Sequence, residues 1–254
     1  MEIKEVYKHI MGVLLLLIIT AGPLHAAGSV KAFQEGVKNY QQGNYTSAIA
    51  EFSKVADINI KNVPLFYNLG NSYLKNGDLG HAVLWYKRAL RLNPHDPDLI
   101  FNYNYALTCL ADMAPGPQDS VFLRVILFWN FLLSPAVIQW TAIFLNGIFW
   151  IIITWQQISG SKALDFLRHT VLILAVVAAL AAWYNYYEDY YHKEAVILPV
   201  EIAVRSGLSD NSTVLFVLHS GSLIQVDGER GNFLKIRFSS DKIGWIRKDA
   251  AELI

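Results

Sequence analysis

The sequence predicts a three-part chain: an all-α array of helix pairs, a two-helix transmembrane hairpin and a small all-β C-terminal domain. Three observations predict it. Gly, Ala and aromatic positions recur at an offset of 34 residues in the first part of the chain. Two runs, 136–155 and 167–184, are long and apolar enough to span a bilayer. From Ala195 onward, short β-branched runs alternate with turn residues. Composition agrees with a membrane component. Hydrophobic residues make up 54% of the 254 positions, and such a share calls for a lipid phase as well as a core. Lys+Arg and Asp+Glu are equal at 21 each, so nothing in the charge points to nucleic acid as a partner.

The chain opens on "MEIKEVYKHIMGVLLLLIITAGPLHAAGS". Lys4 and Lys8 precede an apolar core at 10–19, followed by Gly22-Pro23 and the small-residue stretch His25-Ala26-Ala27. This order reads as a secretory signal peptide over 1–27, cleaved after Ala26 or Ala27, because the core is too short to span. Retention as an anchor is the alternative. Both place the following chain outside the cytoplasm.

The repeat lies in 29–112. "GNYTSAIAEFSKV" aligns with "GDLGHAVLWYKRA", so Gly43 matches Gly77, Ala48 matches Ala82 and Phe52 matches Tyr86. Upstream, Gly36 matches Gly70 at the same offset. The pattern resembles tetratricopeptide repeats (TPRs), in which each unit is a pair of antiparallel helices. Gly70 and Ala82 are then small where helices touch, and Tyr73 and Tyr86 fill gaps between neighbouring pairs. Gly77 takes the left-handed turn, Asp78 caps the second helix and Pro94 stops it. The second repeat, 63–96, fits well. The first, 29–62, is degenerate, with Ala32 for a large aromatic and Ile60 for the Pro. Asp96-Pro97 starts one more helix, which caps the open end of repeat two.

Arrays of this kind bind peptides along the face built by the first helix of each repeat. That face predicts a groove of Phe33, Tyr40, Tyr67, Asn68, Asn71, Phe101, Asn102 and Tyr105. Asn68 keeps one member of a carboxylate clamp, but Phe33, Val37, Asp98 and Asn102 occupy its other positions, and Asp98 repels a carboxylate. Aromatics and amides suit a segment held by stacking and backbone hydrogen bonds. The competing reading is that half of these aromatics only pack between helices. The lone Cys109, beside Leu107 and Leu110, reads as a small packed residue.

Residues 113–135 form a Pro/Gly linker and an interfacial helix near 121–133, with Arg124 free to snorkel; a third, distorted span is the alternative. Ser134-Pro135 opens the first span, 136–155, with Trp140 and Trp155 near its ends. The loop 156–166 carries Lys162, and Arg168 opens the second span, 167–184. The outer flank "YYEDYYHKEA" is net acidic, so the positive-inside rule puts the loop in the cytoplasm. Ala175, Ala178, Ala179 and Ala182 offer a small-residue face for close approach. Asn146, the strongly polar residue near a span centre, reads as an interhelical hydrogen-bonding group.

The C-terminal domain, 195–254, holds five expected strands and reads as a small barrel. "VRSGLSDNSTVLFVLHSGSLIQV", "GNFLKIRF" and "IGWIRKDAAELI" resemble bacterial SH3-like domains, matching at Val204, Arg205, Ser206, Gly207, Gly221 and Trp245. That likeness implies a weak ligand surface of Arg205, Phe233 and Trp245, with peptidoglycan as the class of ligand; Trp245 reads first as core. Phe233 stands where such domains usually have Trp. No spacing of His, Cys or carboxylates suits a metal, and no phosphate loop or G-x-S-x-G occurs, so neither a cofactor nor an enzyme is expected.

Signal peptide, repeat pair, interfacial helix, two spans and SH3-like domain, in that order, resemble the BatE-type proteins of the Bacteroides aerotolerance (Bat) operons. The resemblance implies an inner-membrane scaffold with periplasmic domains, whose TPR groove binds membrane-bound von Willebrand A-type Bat proteins. It implies a link to a MoxR ATPase and to aerotolerance or stress resistance.

Overall fold

The structure, a computed structural model, describes residues 24–57, 61–112, 128–160, 162–191 and 193–254. The chain divides into two compact units, Met1–Ile60 and Lys61–Ile254. The expected signal peptide lies outside the described residues up to position 23.

In the first unit, α1 (Leu24–Gln41) and α2 (Tyr45–Ala56) pair through a turn at Gly43, whose φ of 78° suits a residue without Cβ. Gly36 lies under the Phe52 ring, where a Cβ would come within 2.6 Å of a ring carbon. Ala48, Phe52 and Val55 form the buried face of α2.

The second unit starts with α3 (Val63–Lys75), α4 (Leu79–Leu92) and α5 (Pro97–Thr108). Asn62 caps α3 by accepting from Leu65 N, Asp78 caps α4 by accepting from His81 N, and Asp96 caps α5 by accepting from Asp98 and Leu99 N. Pro64 and Pro97 sit in first turns, where no intrahelical N–H is lost. Gly77, at φ 82°, makes the left-handed turn between α3 and α4.

Tyr86 is fully buried, and its ring covers Gly70 so closely that a Cβ there would lie 2.5 Å from it. Tyr86 thus packs within its own helix pair, and Tyr73 stacks on His81 of the same pair with ring centroids 4.7 Å apart. Cys109 is exposed, correcting its expected packing. It ends α5 as the C-cap, whereas the neighbouring Leu110 turns toward Gly221 of the C-terminal sheet.

After the short α6 (Phe128–Leu132), α7 (Pro135–Ser159) and α8 (Asp165–Tyr191) pack side by side. Both are long and apolar enough to cross a bilayer, and most of their apolar surface is exposed. Of the expected interfacial helix, only 128–133 falls among the described residues. Both long helices exceed the expected spans, because nothing breaks them until Gly160 (φ 64°) closes α7 and strand β1 follows α8. One residue separates α8 from β1. The residues that the two helices bury are Ile138, Ile152, Val171, Ala175 and Ala181; the expected Ala179 is exposed.

The C-terminal domain differs from the expected five-stranded barrel. Seven strands, β1 (Lys193–Ile197), β2 (Glu201–Arg205), β3 (Val214–His219), β4 (Leu223–Arg230), β5 (Phe233–Arg237), β6 (Ile243–Arg247) and β7 (Ala251–Leu253), form one antiparallel sheet. Its order is β3-β2-β6-β5-β4-β1-β7, with no pairing that closes it. The sheet curls without closing, since side chains from β1 through β6, among them Ile197, Val204, Leu218, Ile236 and Ile246, meet in one cluster. Register shifts at Val204/Arg205 and Val226/Gly228 add twist at two places. The two extra strands are β2, the run after Pro199, and β7, where residues 251–253 pair with β1; β1 itself starts two residues before Ala195.

This sheet is seated on α4. Strand β1 buries Ala195, Val196 and Ile197 in succession, with no alternation; Val196 is fully buried yet outside the sheet's own cluster. Packing of α4 against β1 accounts for it, as both faces of the strand are covered. Gly80 of α4 admits the sheet backbone: a Cβ there would meet Ser220 Oγ at 2.6 Å and Ile197 O at 2.9 Å. Arg88 donates to Glu252 (2.8 Å) and to Leu253 O (2.6 Å), and Lys87 pairs with Glu194 at 3.2 Å. Asp112, just past α5, accepts from His219 N (2.7 Å) and Ser222 Oγ (2.9 Å) and contacts the His219 ring at 3.1 Å. Burial opposes its charge, but these hydrogen bonds hold its carboxyl below the usual carboxylate range.

Two outcomes follow. Gly70→Ala destabilises the full chain by about 1–3 kcal/mol, because the ring of Tyr86 is confined on all sides; denaturant unfolding followed by Tyr and Trp fluorescence checks it. A carboxyl depressed on folding contributes stability that is complete above its unfolded pKa and lost as pH falls through the depressed value. Protection factors over 214–222, which divide out the pH dependence of intrinsic amide exchange, therefore fall as pH drops below about 3.9, and Asp112→Asn removes this acid-dependent step.

Candidate functional site

The face formed by α3 and α5 carries most of the expected groove. Tyr67, Asn68 and Asn71 project from α3 at i, i+1 and i+4, and Phe101, Asn102 and Tyr105 from α5 in the same spacing. Asn102 Nδ2 donates to Tyr67 Oη and to Asn71 Oδ1, each at 2.9 Å. Asn71 Oδ1 also accepts from Tyr86 Oη at 2.6 Å. One amide oxygen thus ties α3, α4 and α5 together. Tyr67 and Asn71 are half-buried, and the Tyr67 ring leans on Tyr86 with centroids 6.3 Å apart.

These contacts sort the expected residues by role. Asn71 and Asn102 are bound into the helix packing. Asn68 donates to Pro64 O at 2.8 Å, so its amide is occupied by its own helix. Phe101 and Tyr105 point outward, 72% and 56% exposed, one helical turn apart on the same stripe. They are the large apolar side chains that the α5 surface offers to another molecule. Asp98 is exposed near the start of the same helix. In the first unit, Phe33 packs on Phe52 with centroids 5.5 Å apart, and Tyr40 packs on Tyr45 at the same separation. Both are half-buried, so packing takes up part of each ring.

A second cluster lies on the outer face of the C-terminal sheet. Arg205, Phe233 and Trp245 line one shallow depression of about 140 Å³, together with Asp210 and Arg247. Register explains their convergence: Arg205 and Lys235 are the cross-strand neighbours of Trp245, and Phe233 is opposite Arg247. Trp245 is half-buried and stands outside the core cluster, whereas the next residue, Ile246, faces into it. Its strand alternation, not its size, decides this. Arg205 donates to Ser212 O at 2.8 Å and keeps its charge, whereas Arg247 pairs with Asp210 at 3.2 Å.

The sequence alone did not single out Asp112, Gly80, Arg88 or Tyr103. Tyr103 on α5 is mostly buried, and burial together with the nearby Glu194 carboxylate pushes its phenol up. The sequence did hold a signal for the docking of sheet on helix. Gly80 lies in the first turn of α4, where the repeat pattern asks for no glycine, and the "AVIL" run lacks the alternation of a strand with one wet face.

Comparison with known families fits the helical part. Residues 63–96 match the tetratricopeptide repeat model, and residues 38–77 match a TPR repeat model. The chain carries tetratricopeptide repeats, a class of module that mediates protein–protein interactions. No curated protein matches the chain.

The two kinds of residue on the α3–α5 face separate by experiment. Asn102→Ala lowers stability by about 1–3 kcal/mol, since Tyr67 and Asn71 each lose a partner in a half-buried position. Phe101→Ala changes it by less than about 0.5 kcal/mol, as an exposed side chain with little packing. Denaturant melts of the full chain compare them.

Proposed function

We propose that the chain is a non-enzymatic membrane scaffold whose TPR face holds a segment of another protein. The observation that carries this reading is the pair Phe101 and Tyr105, large and exposed on the capping helix α5, beside an Asn102 amide already bonded to α3. An extended or helical segment with apolar side chains would stack on these rings, with Tyr67 at its edge. The partners we propose are membrane-bound Bat proteins of the von Willebrand A type, following the BatE-type resemblance. The role would be assembly of a MoxR-associated complex in aerotolerance or stress resistance.

In this reading α7 and α8 cross the inner membrane and both flanking domains are periplasmic. Support comes from the apolar surface that both helices expose and from Trp140, Trp155 and Trp183, which stand outward near helix ends as interfacial anchors do. The Lys162 and Arg168 flank favours a cytoplasmic loop. Confinement to a membrane raises the effective concentration of weak contacts acting together.

A second reading is a cell-wall sensor or anchor that binds peptidoglycan through the C-terminal sheet. What favours it is the convergence of Arg205, Phe233 and Trp245 in one depression. The depression is shallow, its Trp is half-buried and Phe233 takes the place of a second Trp, which ranks it second.

Affinity purification of the full chain from native membranes tests both. Co-purifying Bat proteins that are reduced at least tenfold by Phe101→Ala/Tyr105→Ala, and retained in Trp245→Ala, support the scaffold. Retention on purified sacculi that depends on Trp245 supports the second reading instead.

A further inference from the structure

Helix α7 contains four amide side chains, and its packing on α8 uses one. Gln156 donates to Asp165 at 3.0 Å and accepts from Arg168 at 3.1 Å, on the side that faces α8. Gln139, Asn146 and Gln157 are exposed and have no hydrogen-bond partner among the described residues. Asn146 was expected to bond between the two long helices, but α8 lies on another side. At about 100° per residue, Gln139, Asn146 and Gln157 fall within about 20° of one line along α7. Ile138 and Ile152, the residues that α7 buries, sit roughly 100–140° away around the helix. Ile143 and Trp150, 61% and 58% exposed, continue the amide stripe at alternating spacings of four and three. That spacing is the seam of two helices wound about each other.

Asn146 is next to the middle of this 25-residue helix. The inference rests on the membrane reading above: in a bilayer the Asn146 amide would face hydrocarbon, where no water can satisfy it. We propose that the stripe joins two copies of the chain, α7 against α7, with Asn146 of each bonded to Asn146 of the other. Three features select a second copy. Copies in one membrane share one topology, so identical helices meet parallel and each residue meets its counterpart at the same depth. An amide both donates and accepts, and is therefore its own complement. Gln139 and Asn146 are one heptad apart, so a single register serves both. A different partner would need amides at three matching depths. The pairing also brings two TPR faces into one assembly, which strengthens binding to a partner that is itself paired.

Cys109 is the only cysteine and is exposed, so it accepts a dye without further change. Donor- and acceptor-labelled full-length chains are mixed in phosphatidylcholine vesicles, and energy transfer is followed as lipid is added. Transfer is expected in the wild type and in Asn146→Gln. Asn146→Leu weakens association roughly 3- to 30-fold, and Phe144→Leu on another flank leaves it unchanged. Leu is more apolar than Asn, so insertion persists in that variant, and resistance to carbonate extraction verifies it. Equal transfer in the wild type and Asn146→Leu overturns the pairing, as does absence of transfer in a carbonate-resistant wild type. Release of the wild type by carbonate overturns the membrane reading itself.

Discussion

An aromatic ring lying on a glycine organises the helical part of this protein. The Tyr86 ring takes the space that a side chain at position 70 would need, which fixes how closely α3 approaches α4. Its hydroxyl then reaches Asn71, and Asn71 reaches Asn102, so the same residue that sets the helix spacing also recruits α5. The first unit repeats the device with Phe52 over Gly36. Phe carries no hydroxyl, so that copy sets the spacing of its pair by packing alone.

Helix α4 is enclosed as a result. One side holds Tyr86, Ala82 and Ala89 against its repeat partner, and the other receives β1, β7 and the β3–β4 turn. Ion pairs at the rim, such as Lys87 with Glu194, are half-exposed and contribute at most about 1 kcal/mol each. Area and backbone fit carry the contact: the buried Val196, the close approach of the sheet backbone to Gly80 and the three groups converging on Asp112. Phe101 and Tyr105 of α5 remain exposed beside this contact.

Much of the architecture was legible in the sequence because its signals are local. Period, cap and turn residues place α3, α4 and α5, with Asp78, Asp96 and Gly77 in their expected roles. What was not legible depends on contacts distant in the chain. The fate of Asn71 and Asn102 needed the position of Tyr86. Alternation predicts that β6 exposes Trp245, but residue size pointed to the core. The sheet gains a strand because β1 takes β7 as a second partner, and the seat of β1 on α4 was visible only as unbroken apolarity at 195–198. Of the expected site, Arg205, Phe233 and Trp245 do lie together. The α3–α5 groove contains its residues, but its amides are committed to packing.

Helix α8 ends at Tyr191 and β1 begins at Lys193, two positions on. A residue spans at most about 3.6 Å, and β1 is itself seated on the repeat. If the hairpin lies in lipid, the repeat has a standoff height set by protein geometry, with no tether to extend. Its ligand would have to present itself within the first protein layer above the headgroups, and longer-range capture would fall to whatever delivers that ligand there.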